Sequence, residues 1–192
     1  MQYKKKFIND RILEAGLNEY LEKGYRGGNI STIAQNAGVP VGNLYRYFDG
    51  KSGLLDALVK KPYQEFPKIV DQLARIDVET SLPLKDVMVR LTQMLLNIFE
   101  QYGKEIIILA DKCATTRYED FIEKVAAQIA DLVYKKIYND DSDLSRMMSN
   151  LATTAFIDSI LQLLRLDLER SVLEAMILRV MNFYFYAIDV RK

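Results

Sequence analysis

Apolar positions recur every three or four residues along almost the whole chain, and nowhere alternate long enough to make a useful strand. In "KKFINDRILEAGLNEYLEKG", Ile8, Ile12 and Ala15 align beside Leu13, Leu17, Tyr20 and Leu21, and Gly24 supplies a natural C-cap. "NISTIAQNAG" predicts a very short helix with Asn29 as N-cap, Ile33, Ala34 and Ala37 facing inward, and Gly38 ending it. "VPVG" reads as a tight turn, "GNLYRYF" as a second short helix, and "GKSGLLDALVKK" opens a fourth helix that Pro62 and Pro67 should kink or break. After a connector at "DVETSLP", an amphipathic stretch carries Leu84, Val87, Met88, Leu91, Met94, Leu95, Ile98, Phe99 and Tyr102. Further helices are predicted over residues 104–112, 118–138, 143–166 and 170–189, with the polar "NDDSD" parting the second of these from the third. The fold class is all-α, with about nine helices.

Composition narrows the functional classes. The chain has 192 residues, enough for a sizeable core, and no histidine, which removes the commonest general base, triad member and metal ligand together. No CxxC, G-x-S-x-G, GxxxxGK[ST] or GxGxxG is present. Asp140, Asp141 and Asp143 lie in a loop signal and read as solvated charge or a cap, not an acid/base pair. No enzyme, metal site or cofactor is expected. The single cysteine, Cys113, can form no internal disulfide and sits among apolar neighbours, as a packed residue in a reducing cytoplasm would. "MQYKKKFIND" leads into no apolar core, so no signal peptide is read there. Between Val172 and Val190, Glu174, Arg179, Asn182 and Asp189 interrupt the apolar run, so a doubly buried helix is expected, not a membrane anchor.

Net charge is zero, but residues 1–61 hold ten Lys/Arg against six Asp/Glu, and the remainder holds sixteen against twenty. A basic N-terminal third suggests a polyanion partner for that part alone. Two short helices joined through a Gly-containing turn describe a helix-turn-helix, whose second short helix is slim enough for a major groove about 12 Å wide. At about 100° per residue, Leu44 and Phe48 share an inward face, Tyr45 and Tyr47 flank it about 80° to either side, and Arg46 points away. Gly42 and Asn43 stand at the helix start, where backbone N–H groups are free to meet phosphates or base edges.

Residues 7–55 resemble the DNA-binding domain of the tetracycline-repressor (TetR) family of transcriptional regulators. The resemblance is carried by "ILEAGLNEYLEKGY", "ISTIAQNAGV" and "GNLYRYFDGKSGLL". It implies that Tyr45, Tyr47 and Lys51 contact the DNA backbone, that Pro40, Val41, Gly42, Asn43 and Arg46 lie nearest the groove, and that Asn29, Ser31 and Thr32 sit at the phosphate-facing start of the second helix. The sequence departs from the family pattern in two places. "GGN" replaces the Thr commonly found before the second helix, and Ser31 stands where several members have a base-reading Arg. Asn43 and Arg46 are then the main hydrogen-bonding groups at the groove.

The implied organisation is a helix-turn-helix domain over 1–50, a connecting helix over 51–75, and an effector-binding and dimerisation domain over 76–192. The last two helices carry apolar residues on more than one face, which calls for a second subunit. Ala152, Ala155, Phe156, Ile160, Met176, Val180, Phe183 and Tyr184 are the interface candidates. The family implies a pocket among the other helices, with Phe66, Met88, Leu91, Met94, Leu95, Phe99, Tyr102, Cys113, Tyr118, Phe121 and Tyr134 as candidate lining. Such Met-rich, aromatic walls suit an apolar or aromatic small molecule. The expected function is a cytoplasmic, homodimeric repressor of a palindromic double-stranded DNA operator, released by that effector. The alternative is an all-helical small-molecule-binding or protein-interaction module with a vestigial helix-turn-helix.

Overall fold

A computed structural model of the chain describes residues 2–74, 84–138 and 140–189. Among the described residues eight α-helices run in order: α1 Gln2–Gly27, α2 Ile30–Asn36, α3 Val41–Tyr47, α4 Gly50–Ala74, α5 Leu84–Ile107, α6 Phe121–Ile137, α7 Asp143–Arg165 and α8 Arg170–Asp189. A single π-helical turn, Ile108–Lys112, follows α5. No strand occurs among the described residues, so the all-α expectation holds. The connector expected at residues 77–83 lies outside the described residues.

The predicted boundaries have visible causes. Gly24 leaves helical geometry at φ 69°, ψ 173°, ending the regular part of α1 where the cap was expected. Tyr102, at φ −141°, kinks α5 between the two helices read there as separate. A break at Pro62 or Pro67 does not occur, because α4 is continuous from Gly50 to Ala74. Each proline removes one backbone N–H from the ladder, a cost of about 3 kcal/mol in a helix interior. Burial of Pro62 in the core offsets part of it.

The chain forms two compact units, one of residues 1–65 with 104–121, the other of residues 66–103 with 122–192. In the first, Ile12, Tyr20, Ile33, Ala34, Leu44, Leu54, Leu55 and Val59 form the core, joined by Ile106, Ile108, Leu109 and Cys113. The π turn packs against α1, so the apolar "IIILADKCA" run is spent closing the N-terminal helices. A hydrogen-bonded cluster adds to this unit. The Tyr118 hydroxyl donates to Asp56 (2.9 Å), Arg117 pairs with the other Asp56 oxygen (2.6 Å), and the Tyr63 ring meets Tyr118 edge-on at 5.0 Å. Burial pushes the Cys113 thiol up to about 11, which leaves it protonated and unreactive near neutrality.

In the second unit, α5 buries Met88, Thr92, Leu96 and Phe99, while α6 contributes Val125, Ala130 and Tyr134. The α7 and α8 helices pack on each other and bury Ile160, Leu161, Leu163, Ile177 and Met181. Polar ties join α5 to α8: Gln93 donates to Glu174 (2.7 Å), Thr92 donates to the Met181 sulfur (3.4 Å), and Arg170 pairs with Glu100.

The N-terminal half of α7 is built inside out. Its buried face carries hydroxyls, namely Ser145, Ser149 and Thr153, with Ser149 donating to the Ala130 carbonyl at 2.7 Å. Its exposed face carries Leu144, Met147, Met148 and Leu151, at the i, i+3, i+4, i+7 spacing that normally turns inward.

Candidate nucleic-acid interface

The α2 helix opens as its sequence requires. The Asn29 side-chain oxygen accepts the backbone N–H groups of Ser31 (2.8 Å) and Thr32 (3.4 Å), satisfying two of the first-turn donors. Ser31 is exposed and Thr32 half-buried. The Asn29 backbone N–H itself donates to the carboxylate of Glu19 on α1 (3.0 Å).

The turn into α3 is a Schellman motif. Gly38 N–H bonds to the Gln35 carbonyl, and Val39 N–H to that of Ala34, each at 2.9 Å, with Gly38 at φ 63°. Pro40 then sets the entry to α3 at φ −58°, ψ 144°, and its carbonyl accepts from Asn43 N–H (2.9 Å). The turn between the two short helices is thus closed by backbone bonds.

On α3 the ring assignments resolve. Leu44 is fully buried, and Phe48 is buried too, although it lies past the helix end in extended geometry at φ −135°, ψ 141°. Tyr45 is 59% exposed, while Tyr47 is half-buried with its ring 6.5 Å from that of Phe48. Pro40, Val41 and Arg46 are exposed and Asn43 is half-buried. Above Gly42 the space is open, with nothing within 4 Å of where a Cβ would stand. These residues form one accessible face on a helix anchored by Leu44.

The first turn of α4 is fastened to the end of α1. The Tyr20 hydroxyl donates to the Lys51 carbonyl (2.9 Å), and burial, reinforced by Tyr25 and Glu19, pushes the Tyr20 phenol well above its ordinary range. The Lys51 ammonium donates to the Arg26 carbonyl (3.0 Å) and lies 4.9 Å from the centre of the Tyr25 ring.

The pocket candidates divide between the two units. Cys113, Tyr118 and Phe121 belong to the first, where all three are buried. In the second, Met88, Phe99 and Tyr134 are buried, whereas Phe66, Leu91, Met94, Leu95 and Tyr102 are half-buried. The Tyr134 hydroxyl is already committed to the Asp140 carbonyl (2.6 Å).

Among the interface candidates, Ile160 is buried within its own unit, Phe156, Met176, Val180 and Tyr184 are half-buried, and Ala152, Ala155 and Phe183 are exposed. Phe156 and Phe183 both meet Tyr184 edge-on, at 5.6 and 5.2 Å. Leu144, Met147, Met148 and Leu151 are exposed but are not among the candidates taken from the sequence. Their helical spacing was visible, but it reads as an inward face until burial is known.

Comparison with known proteins places this geometry. Residues 12–58 match the family model described as bacterial regulatory proteins, tetR family. A curated relative, the Probable HTH-type transcriptional regulator YttP of Bacillus subtilis (strain 168), is 34% identical over 65 residues, covering 34% of this chain and 31% of its own length. The curated relatives are thus matched over about a third of their length. Solved structures of similar fold include the following two. NalD, the secondary repressor of the MexAB-OprM multidrug efflux pump in Pseudomonas aeruginosa, superposes with a TM-score of 0.59 at 19% identity, over 93% of this chain and 95% of its own. SmeT, solved as a complex with triclosan, gives 0.60 at 19% identity, over 94% and 90%. No described helix is long and apolar enough to cross a membrane.

Proposed function

From the match of residues 12–58 to the model for bacterial regulatory proteins, tetR family, we propose that this chain belongs to that family and is a homodimeric, ligand-responsive transcriptional repressor acting in the cytoplasm on a palindromic operator. Residues 1–50 bind DNA, 51–75 connect, and the remainder takes up the effector and dimerises, except for residues 104–121, which pack with the N-terminal unit. The observation that carries this reading is the free face of α3. Tyr45, Arg46 and Val41 project beside the open space over Gly42, on a helix whose opposite side is locked by Leu44. Tyr45, Tyr47 and Lys51 meet the DNA backbone, with Lys51 exchanging the neutral Arg26 carbonyl for a phosphate. Asn29, Ser31 and Thr32 support the same strand contact, and Asn43 with Arg46 reads base edges.

The exposed stripe of Leu144, Met147, Met148 and Leu151, with Ala152, Ala155 and Phe183, is the surface a second copy covers. Such a dimer sets two α3 helices about 34–36 Å apart for successive major grooves. The methionines and rings of the second unit favour an apolar or aromatic effector, in keeping with the triclosan bound by SmeT. Effector and operator then oppose each other by the same coupling free energy in both directions.

Substitutions separate gripping from reading. Tyr45→Ala and Lys51→Ala should each weaken binding about five- to ten-fold on every sequence tested, with the Lys51 change lowering the salt slope by about one. Asn43→Ala should instead alter preference among operator variants, by about 1–3 kcal/mol at one base pair. Anisotropy titrations across an operator library at two salt concentrations measure both. Uniform binding by all three variants would contradict the assignment.

A further inference from the structure

We infer that Glu19 is a positioning residue for the DNA-binding face, supplying from α1 the half of a capping box that α2 lacks. This inference rests on the proposed DNA-binding function. In a capping box, a Glu or Gln at the third helical position reaches back to the N–H of the capping residue. That position in α2 is Thr32, whose side chain is too short for the role. Glu19 fills it from another helix. One carboxylate oxygen accepts the Asn29 N–H at 3.0 Å, and Lys23, one turn further along α1, holds the two oxygens at 3.2 and 3.1 Å.

The carboxylate is buried, with 2% of the Glu19 side chain exposed against 41% for Lys23. A buried charge with so little solvent depends on its partners, and the helix-start dipole of α2 adds to them. The Asn29 cap and the Schellman turn hold α2 and α3 together by local bonds. The Glu19 to Asn29 bond is therefore a polar tie between α1 and the α2–α3 pair, and it fixes where the α3 face points. Lys51, bonded to Arg26 at the far end of α1, refers to the same helix.

The test compares Glu19→Ala with Glu19→Gln. The Gln amide oxygen still accepts the Asn29 N–H but offers Lys23 no charge. Anisotropy with an upstream DNA fragment measures affinity, and amide hydrogen exchange of the free protein reports the Asn29 and Ser31 N–H groups directly. Glu19→Ala is expected to bind DNA about five- to ten-fold more weakly and to lose protection at Asn29. Glu19→Gln should stay within about two- to three-fold of the parent and keep that protection. Equal binding by parent and Glu19→Ala would overturn the inference, as would Asn29 protection that survives in Glu19→Ala or is lost in a folded Glu19→Gln. Should the parent itself bind no DNA, the proposed function fails, while loss of Asn29 protection in Glu19→Ala alone would still support the capping role.

Discussion

Replacing Gly38 by valine should remove operator binding while leaving most of the helical content in place. Gly38 sits at φ 63°, where an L residue costs about 1–2 kcal/mol and a β-branched one more. It donates one of the two bonds of the turn between α2 and α3, and a side chain there would also press on the Arg11 guanidinium, which can swing aside. The backbone strain therefore dominates. If the turn relaxes toward negative φ, both Schellman bonds are lost and α3 leaves its angle to α2. The expected order of damage is Gly38→Val, then Gly38→Ala, then Gly38→Asn, since asparagine tolerates this conformation best. Denaturant unfolding should register about 1–2 kcal/mol for the alanine variant, and anisotropy should show binding falling in the same order. A valine variant with parental affinity would mean that the turn does not set the recognition geometry.

A charge on the outer face of α7 should have a comparable effect by another route. Leu151 is 60% exposed, in line with Met147, Met148 and Leu144. Leu151→Glu therefore disturbs little within its own unit, but it places a carboxylate in the centre of the proposed interface. Burying an unpaired charge costs several kcal/mol, more than a leucine contributes by burial there, about 1.5–3 kcal/mol. Sedimentation should show the species falling from about twice 22.1 kDa to a single chain. Affinity for a two-half-site operator should drop about 10²- to 10⁴-fold as the second half-site contact becomes intermolecular. A dimer that survives the change would place the interface elsewhere.

The sequence made local chemistry legible and left assembly obscure. Asn29, Gly24 and Gly38 could be read because a cap or a left-handed turn is decided by the residue and its nearest neighbours. Phe48 was expected inside, and it is, but the helical wheel was the wrong reason: the helix ends at Tyr47 and an extended backbone turns the ring inward. The same early end makes Tyr45 and Tyr47 unequal, since Tyr47 packs beside Phe48 and Tyr45 does not. Residues 104–121 were read with the C-terminal domain because they follow it in the chain. Their grouping with α1 depends on long-range packing, which periodicity does not encode. Glu19 gave no more than an i, i+4 pair with Lys23, and its bond to Asn29 is tertiary. The inverted polarity of α7 was unreadable for a related reason: an apolar stripe records that a face is covered, not which chain covers it.

In the proposed function, the N-terminal unit grips DNA mainly through the phosphate backbone of the nucleic acid. Titrating the purified protein against upstream DNA fragments by anisotropy, at several salt concentrations, tests this. Saturable binding is expected, with the logarithm of the binding constant falling linearly with the logarithm of salt at a slope set by the number of phosphates neutralised. Folded protein that binds no upstream fragment in a salt-sensitive manner would rule this grip out.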